Sequence, residues 1–264
     1  MRIKDTEDRD LASARQAFEM RDPREERMEV FLESLLDPLE NLPYLKELEQ
    51  ICLDNYVPVI RKPTQRFLSF EMRHLKPKRI LEIGTAFGFS SILMAKTNPF
   101  PCRIDTIESF DERIPKARKH FEEAGLSRQI RLLPGDAGEI LKDLIREGRS
   151  YDFIFLDAAK GQYPIWLPLI KELLAGDGIL LTDNVLQEGD IIESHFVIPR
   201  RNRTIYKRIR DYLRQLTRDP ELSTEILPNG DGMALTVRNC LPNKGLKAEA
   251  ELKNGIDQAK RKHE

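Results

Sequence analysis

The spacing of apolar and polar positions divides the chain into a central part and two flanks. Between residues 79 and 182, short apolar runs alternate with longer amphipathic segments. Short runs of this kind predict buried strands, and apolar residues every three to four positions predict helices. The predicted strands are residues 79–83, 103–107, 130–133, 151–156 and 178–182, with helices at 89–96, 111–124, 137–145 and 163–174. This alternation predicts a Rossmann-like α/β fold, in which a parallel sheet has helices on both faces.

The two flanks have different patterns. Three helices are predicted before the sheet, at residues 28–36, 42–53 and 64–75. After a loop at residues 184–199, an amphipathic helix is predicted at 203–216. Its apolar face is formed by Ile205, Ile209, Tyr212, Leu213 and Leu216. The last two predicted strands, 224–227 and 232–237, flank a Pro-Asn-Gly-Asp-Gly turn. Together these strands predict a mostly parallel, seven-stranded sheet that is closed by a C-terminal antiparallel hairpin.

Composition narrows the class of protein. We expect one domain, residues 28–238, with charged and disordered extensions at 1–27 and 239–264. The 43 basic and 44 acidic residues give a net charge of -1, which excludes a global affinity for polyanions. Three widely separated cysteines favour a reducing compartment. No apolar run has the length of a membrane span, and the N-terminus lacks a secretion signal, so we expect a cytoplasmic protein.

A glycine turn connects the first predicted strand to its helix. Its spacing is Glu-x-Gly-x-x-x-Gly, with Glu82, Gly84 and Gly88, and differs from the Gly-x-Gly-x-x-Gly of dinucleotide sites. We expect the glycines to let the backbone bend sharply and approach a ligand closely. The Glu82 carboxylate suits a cationic or amine-bearing ligand, and S-adenosylmethionine has both groups. The alternative is an ordinary strand-to-helix turn.

Acidic residues follow the next two strands as well. Glu108 is placed to accept hydrogen bonds from ribose hydroxyls, and Asp136 with Ala137 could contact the amino edge of an adenine. Each acid also precedes a predicted helix, so capping of that helix is the alternative. Because Glu82 lies at the same edge of the sheet, we favour ligand binding for the whole set.

The fourth and fifth strands end in a more specific pattern. Asp157 follows one strand, and Asp183 with Asn184 follows the next. Two carboxylates do not share a site easily unless a cation neutralises them. Three oxygen donors without His or Cys suit a hard divalent ion such as Mg²⁺. The alternative is that both Asp residues cap helices.

Lys160 lies three residues after Asp157 and could point back at the same site. A nearby divalent ion would disfavour its charged form, so Lys160 could accept a proton. A solvated surface lysine is the alternative.

Several of these motifs together resemble a known enzyme family. Residues 82–90, Glu108 and residues 135–137, 156–163 and 182–186 are similar to the cation-dependent O-methyltransferases of the catechol and caffeoyl-CoA type. The resemblance covers residues 55–237 and implies a class I methyltransferase fold with S-adenosylmethionine as cofactor. It implies a metal site formed by Asp157, Asp183 and Asn184. It also implies cofactor contacts at Ile60, Ser90, Glu108, Asp136, Ala137 and Asp157, in addition to Glu82 and Gly84. Members are often homodimers, and the helices before Val57 are the expected contact.

Two classes of molecule are candidates for the substrate that accepts the methyl group. Residues 57–60, 198–203 and 226–235 resemble the bacterial tRNA 5-hydroxyuridine methyltransferases, which make 5-methoxyuridine at the anticodon wobble position. A basic stripe near the predicted helix at 203–216 suits a phosphate backbone. Its candidate RNA-binding residues are Arg200, Arg201, Arg203 and Lys207. The alternatives are a solvated helix face, or a small catechol-like or CoA thioester substrate. Catechols and 5-hydroxyuridine both carry neighbouring oxygens that could chelate an ion, so the chemistry alone does not choose.

Overall fold

The computed structural model describes residues 23–194 and 196–239. Residues 1–22 and those after 239, predicted to be disordered extensions, lie outside the described residues. Residues 23–27, predicted to belong to the N-terminal extension, are helical in the structure, because α1 spans Pro23–Leu35. The helix starts at a proline, whose fixed φ suits the first turn, and good helix formers follow it.

Eight α-helices and seven strands make up the described part of the chain. After α1, the helices are α2 Pro43–Asp54, α3 Lys62–Leu75, α4 Phe89–Thr97, α5 Ile114–Glu123, α6 Ala137–Arg146, α7 Tyr163–Leu173 and α8 Arg203–Arg218. The strands are β1 Arg79–Ile83, β2 Arg103–Glu108, β3 Ile130–Pro134, β4 Tyr151–Leu156, β5 Leu174–Thr182, β6 Leu222–Leu227 and β7 Met233–Arg238. None of the described helices is both long and apolar enough to cross a membrane.

The seven strands form one sheet in the order β3-β2-β1-β4-β5-β7-β6. Strands β1 to β5 pair in parallel, whereas β7 is antiparallel to both β5 and β6. This architecture confirms the predicted fold class. In register, Ile83 is level with Leu156, and Leu156 is level with Thr182. The residues that follow these three therefore meet at one edge of the sheet.

Apolar side chains fill the space on both sides of the sheet. In β4, Phe153 and Phe155 belong to the core on the side of α2 to α5, and Ile154 and Leu156 belong to the core on the side of α6 to α8. A strand buried on both faces reads as a continuous apolar run, which is why β4 is evident in the sequence.

Two predicted details are different in the structure. Strand β5 begins at Leu174 and not at residue 178, because α7 ends at Leu173 and Leu174 already pairs with Tyr151. In α8, Ile205 was predicted to be on the apolar face but is 37% exposed, and the adjacent Tyr206 is buried. The Tyr206 hydroxyl donates to the Glu193 carbonyl oxygen at 2.9 Å.

Candidate active site

A cavity of about 480 Å³ lies at the carboxyl ends of β1, β2 and β4. This volume is in the range of small-ligand sites. Its wall combines the strand ends with residues before α3 and with the turn after β5. Eight of the predicted site residues line it: Ile60, Gly84, Ser90, Glu108, Ala137, Asp157, Lys160 and Asn184. The fold therefore brings most of the candidate residues together around one space.

Glu108 is held rigidly in the cavity wall and is 5% exposed. Its two carboxylate oxygens accept hydrogen bonds from the backbone N–H groups of Ala86, at 2.7 Å, and Phe110, at 2.9 Å. Each oxygen keeps a further lone pair that can accept from a ligand hydroxyl. The capping alternative is not what the structure shows, since α5 begins only at Ile114.

Asp136, by contrast, occupies the N-cap of α6. Its Oδ1 accepts the backbone N–H of Glu139 at 3.1 Å, and its side chain is exposed. Its neighbours Gly135 and Ala137 line the cavity, but Asp136 itself does not. The capping alternative is therefore what the structure shows for Oδ1 of Asp136, in the extended conformation that suits this position. The contact of Asp136 with a ligand stays a prediction.

The structure places Glu82 differently from the prediction that its carboxylate contacts the ligand. The side chain is completely buried and does not line the cavity. Its carboxylate accepts hydrogen bonds from the hydroxyls of Ser90 and Ser91, and from Thr106 Oγ1 at 2.5 Å. Because Ser90 does line the cavity, Glu82 acts on the site indirectly, by fixing the first turn of α4.

We expect the Glu82→Gln variant to change how stability depends on pH. Burial raises the pKa of Glu82 to about 7, and the three hydroxyl donors act in the opposite direction. The native state therefore holds this proton more tightly than the unfolded state, whose ordinary value is 4.5. The stabilising contribution of the protonated group is complete below the unfolded pKa and is lost as the pH rises towards the folded value.

Urea unfolding at several pH values between the two pKa values measures this effect. Wild type should lose more unfolding free energy than Glu82→Gln as the pH rises, because glutamine does not ionise. Glu225→Gln, at an exposed position of β6, is the matched control and should behave as wild type does. Equal losses in wild type and Glu82→Gln would disprove the assignment.

The glycine turn has the predicted sharp bend. Gly84 and Gly88 have φ angles of 110° and 91°. A Cβ on Gly84 would lie 2.0 Å from the carbonyl oxygen of Asp157, and one on Gly88 would lie 2.4 Å from the Phe121 ring. The protein itself therefore requires glycine at both positions, against the Asp157 backbone at Gly84 and against the Phe121 ring at Gly88. Gly84 also lines the cavity, and its close approach to a ligand stays a prediction.

Asp157, Asp183 and Asn184 follow the level ends of β4 and β5. Asp183 is 1% exposed, and its Oδ1 accepts from Thr64 Oγ1 at 3.2 Å and from the Asn184 N–H at 2.9 Å. Its Oδ2 is buried without a hydrogen-bond partner in the described part of the chain. A buried carboxylate oxygen without a partner is costly, so this atom marks a position that a cation would fill.

The electrostatics of the two acids agree with this interpretation. Burial raises the pKa of both carboxyl groups, and the charge of Asp183 raises that of Asp157 further, while Lys160 acts in the opposite direction on both. Two carboxylates and an amide oxygen suit a hard divalent ion. The described residues contain no metal-binding group of three or more His, Cys, Asp or Glu side chains. The candidate set has only two carboxylates, so the metal site stays a prediction.

Lys160 lies in the cavity wall at the start of the short 3₁₀ turn Lys160–Gln162. Its Nζ is 3.7 Å from Oδ2 of Asp231, which is 6% exposed. Asp231 is not among the site residues predicted from sequence. The signal was an acid inside the glycine-rich turn between β6 and β7, but sequence alone does not show where that turn packs.

Backbone hydrogen bonds attach the β6–β7 turn to the metal-site segment. The Val185 N–H donates to the Gly232 carbonyl at 3.0 Å, and the Leu186 N–H donates to the Asp231 carbonyl at 2.9 Å. A Cβ on Gly232 would lie 2.2 Å from the Leu186 side chain, so the turn requires glycine there. The turn that carries Asp231 is thereby fixed against the segment that follows Asp183.

The predicted basic stripe is divided between two roles. Arg200, Arg201 and Lys207 are exposed. Arg203 instead donates from Nε to the Ile198 carbonyl at 3.0 Å, and Arg208 donates to the Gly161 carbonyl at 2.5 Å. Part of the stripe therefore holds the loops around the cavity, and only part is available to a substrate.

The family of the chain is decided by comparison with known proteins. A family model described as O-methyltransferase matches residues 37–239. The chain belongs to the O-methyltransferase family. This result confirms the predicted class of enzyme, and the matched range starts somewhat later than the predicted domain boundary at residue 28.

Relatives of this O-methyltransferase carry related names. It is 32% identical over 135 residues to a catechol O-methyltransferase from Niastella koreensis, covering 51% of this chain and 61% of that protein. It is 29% identical over 216 residues to caffeoyl-CoA O-methyltransferase 2 from Petunia hybrida, covering 78% of this chain and 88% of that protein. The chain thus spans about three fifths of the first relative.

Solved structures of the family share the fold. An O-methyltransferase from Bacillus cereus in complex with SAH aligns with a TM-score of 0.70 and 26% identity, covering 81% of this chain and 97% of that one. The O-methyltransferase TomG from Streptomyces achromogenes, in complex with SAM, aligns with a TM-score of 0.71 and 25% identity, covering 83% and 99%. The divalent ion, the homodimer and the tRNA substrate stay predictions.

Proposed function

We propose that this O-methyltransferase uses S-adenosylmethionine and a divalent cation to methylate a hydroxyl that has a second oxygen beside it. The observation that carries the proposal is the buried, unpartnered Oδ2 of Asp183, next to the cavity that contains Asp157, Asn184 and Lys160. A hydroxyl is a poor nucleophile at neutral pH, and this arrangement provides both negative charge for a cation and a proton acceptor.

The cofactor half of the cavity is formed by β1, β2 and the start of α6. Glu108 would accept the ribose hydroxyls, because its oxygens are already oriented by two backbone N–H groups. Ala137 and Ser90 line the space beside it. Relatives with solved complexes contain SAH or SAM, which supports this cofactor for the present chain.

The reactive half is formed by the ends of β4 and β5. When bound, S-adenosylmethionine supplies an electrophilic methyl group, and a divalent ion held by Asp157, Asp183 and Asn184 supplies positive charge beside the acceptor oxygen. Lys160 would take the proton of the acceptor hydroxyl at Nζ. Asp231 would orient the Lys160 side chain, since an oxygen of its carboxylate is 3.7 Å from Nζ.

We further propose that the acceptor is 5-hydroxyuridine in the anticodon loop of tRNA. Three segments resemble the tRNA 5-hydroxyuridine methyltransferases. Of the segment 57–60, residues 58–60 line the cavity, and the segment 226–235 includes the turn that carries Asp231. Arg200, Arg201 and Lys207 are exposed just after the loop that follows Asn184. Anticodon bases are unpaired and can turn out into a pocket.

A small catechol-like or caffeoyl-CoA-like acceptor is the second candidate. It is favoured by the names of the relatives, which include catechol and caffeoyl-CoA O-methyltransferases. Both candidates share the neighbouring oxygens that the proposed mechanism needs.

The two acceptors are separated by methyl-transfer assays with labelled S-adenosylmethionine. The purified chain is offered a tRNA anticodon stem-loop that carries 5-hydroxyuridine, and in parallel catechol and caffeoyl-CoA. Methylation of the RNA with a much higher kcat/KM supports the tRNA proposal, and nucleoside analysis should identify 5-methoxyuridine. Turnover of the small acceptors alone would replace it with the second candidate, and no turnover of any of them would reject the proposed chemistry.

Replacing Asp231 by asparagine should lower kcat by about 10-fold, because a neutral amide orients the Lys160 ammonium less strongly than a charge-assisted contact does. The KM for S-adenosylmethionine should be unchanged, since Asp231 does not line the cavity. Steady-state kinetics measure both values, with Asp177→Asn, exposed in β5, as control. A kcat equal to that of wild type would show that Asp231 has no part in positioning Lys160.

A further inference from the structure

A second groove, of about 990 Å³, lies at the other end of the sheet from the cavity. Arg79 and Arg103 are the first residues of β1 and β2 and are paired in register there. The strands that separate the two ends are five and six residues long, which corresponds to about 17–20 Å. Six arginines line this space, which we call the arginine groove: Arg79, Arg103, Arg118, Arg128, Arg131 and Arg149.

Half of these arginines have an acidic partner. The pairs are Arg79 with Asp152 at 2.9 Å, Arg131 with Asp105 at 2.8 Å and Arg149 with Glu147 at 2.9 Å. Arg103, Arg118 and Arg128 are exposed, and no acid of the described residues lies within ion-pair distance of them. The groove thus contains three guanidinium groups whose charge is not compensated.

The uncompensated arginines are spread over different elements. Arg103 starts β2, Arg118 lies in α5 and Arg128 lies in the turn between α5 and β3. Arg103 lies level with Arg79 in the neighbouring strand, but the Asp152 carboxylate already pairs with Arg79 and leaves Arg103 without an acidic partner among the described residues. The net charge of the whole chain is -1, so this local concentration of positive charge does not follow from the overall composition.

Exposed arginines in such an arrangement suit a ligand that carries phosphate groups. The planar guanidinium matches two phosphate oxygens at once, whereas an ammonium acts as a point charge. Three separate guanidinium groups around a long groove suit a succession of phosphates better than a single one. An RNA that enters the distant cavity with one nucleotide would extend far enough to reach the groove with its backbone.

We propose that the arginine groove binds the phosphodiester backbone of the RNA substrate at a distance from the methylated nucleotide. This inference rests on the proposed tRNA substrate. In this proposal the arginine groove contributes to RNA affinity, and methyl transfer takes place in the cavity.

The test combines binding and turnover. Fluorescence anisotropy measures the affinity of a labelled, unmodified tRNA transcript for three proteins at several salt concentrations. These are wild type, the triple variant Arg103→Gln/Arg118→Gln/Arg128→Gln, and the control Lys46→Gln/Lys96→Gln/Arg218→Gln, which loses the same charge at exposed positions outside the groove. Thermal melting verifies that all three are folded, and methylation of 5-hydroxyuridine nucleoside measures the intact cavity.

The groove variant should bind the transcript about 10-fold more weakly than the control does, and its salt dependence should fall by a slope of about 2–3, corresponding to three lost phosphate contacts. Nucleoside turnover should not change. Equal affinity of the two triple variants would overturn the groove proposal, even if tRNA is methylated. Weaker binding by the groove variant, without methylation of any tRNA, would instead retain the groove and reject the proposed substrate.

Discussion

Replacement of Asp183 by alanine is expected to lower kcat by on the order of 10³-fold, which is the several kcal/mol that a catalytic cation supplies. Asp183 presents one carboxylate oxygen without a partner at the end of β5, and its other oxygen is already used by Thr64 and Asn184. The variant removes the atom that a cation would bind and also the acceptor that holds the Asn184 backbone.

Methyl transfer should be measured with and without a chelator, together with calorimetric titration of Mg²⁺. Wild type should lose activity in the chelator and recover it when the ion is added, whereas Asp183→Ala should be nearly inactive in both conditions and show no saturable Mg²⁺ binding. Asp177→Ala, also in β5 but exposed, should retain full activity and metal dependence. Full turnover of Asp183→Ala in the presence of chelator would eliminate the metal assignment.

The Asp183→Ala variant should lose activity without losing stability. In the absence of a cation, burial raises the pKa of Asp183, so its ionised form is disfavoured in the native state. Removal of one of two facing carboxylates relieves this cost. We therefore expect Asp183→Ala to be at least as stable as wild type in chelator at neutral pH, which separates loss of activity from loss of structure.

The strands of the sheet could be predicted from sequence because most of them are buried on both faces. Such strands read as continuous apolar runs between turns, and their parallel arrangement follows from the intervening helices. The predicted bounds of β1 and β4 are the observed ones. The buried face of helix α8 is harder to predict from sequence, because Ile205 and Tyr206 are adjacent and both apolar. The choice between them depends on the loop that Tyr206 contacts.

The edge of the sheet where the site lies could also be predicted, but the contacts of each acid could not. Glu82, Glu108 and Asp136 lie within two residues of the ends of β1, β2 and β3, and the sequence predicts ligand binding for all of them. In the structure, only Glu108 lines the cavity, since Glu82 is enclosed by hydroxyls and Asp136 caps a helix. These differences arise from side chains supplied by distant parts of the chain, such as Thr106 for Glu82.

Long-range packing also explains why Asp231 was missed. The turn between β6 and β7 reaches Lys160 only because β7 inserts between β5 and β6. A sequence pattern identifies the turn, but the strand order decides which site it faces. The position of Asp231 beside Lys160 therefore depends on the strand order, which the local sequence pattern does not show.

Replacement of Lys160 by methionine is expected to reduce kcat by about 10²–10⁴-fold, the usual contribution of a general base. Methionine retains much of the length and apolar stem of lysine but has no nitrogen to accept a proton. Lys160 lies in the wall of the cavity, and its Nζ is held 3.7 Å from Asp231. The cofactor half of the cavity is formed by other elements, so the affinity for S-adenosylmethionine should change little.

Lys160→Arg separates proton transfer from simple positive charge. Arginine keeps the charge beside Asp157 and Asp231 but does not give up its proton in proteins. If Lys160 acts as the base, both variants should be slow, and small amines such as methylamine should partly restore Lys160→Ala. Lys142→Met, exposed on α6, is the control for the substitution itself. Wild-type kcat in Lys160→Arg would mean that the ammonium acts only through its charge, and the proton acceptor would have to be sought elsewhere in the cavity.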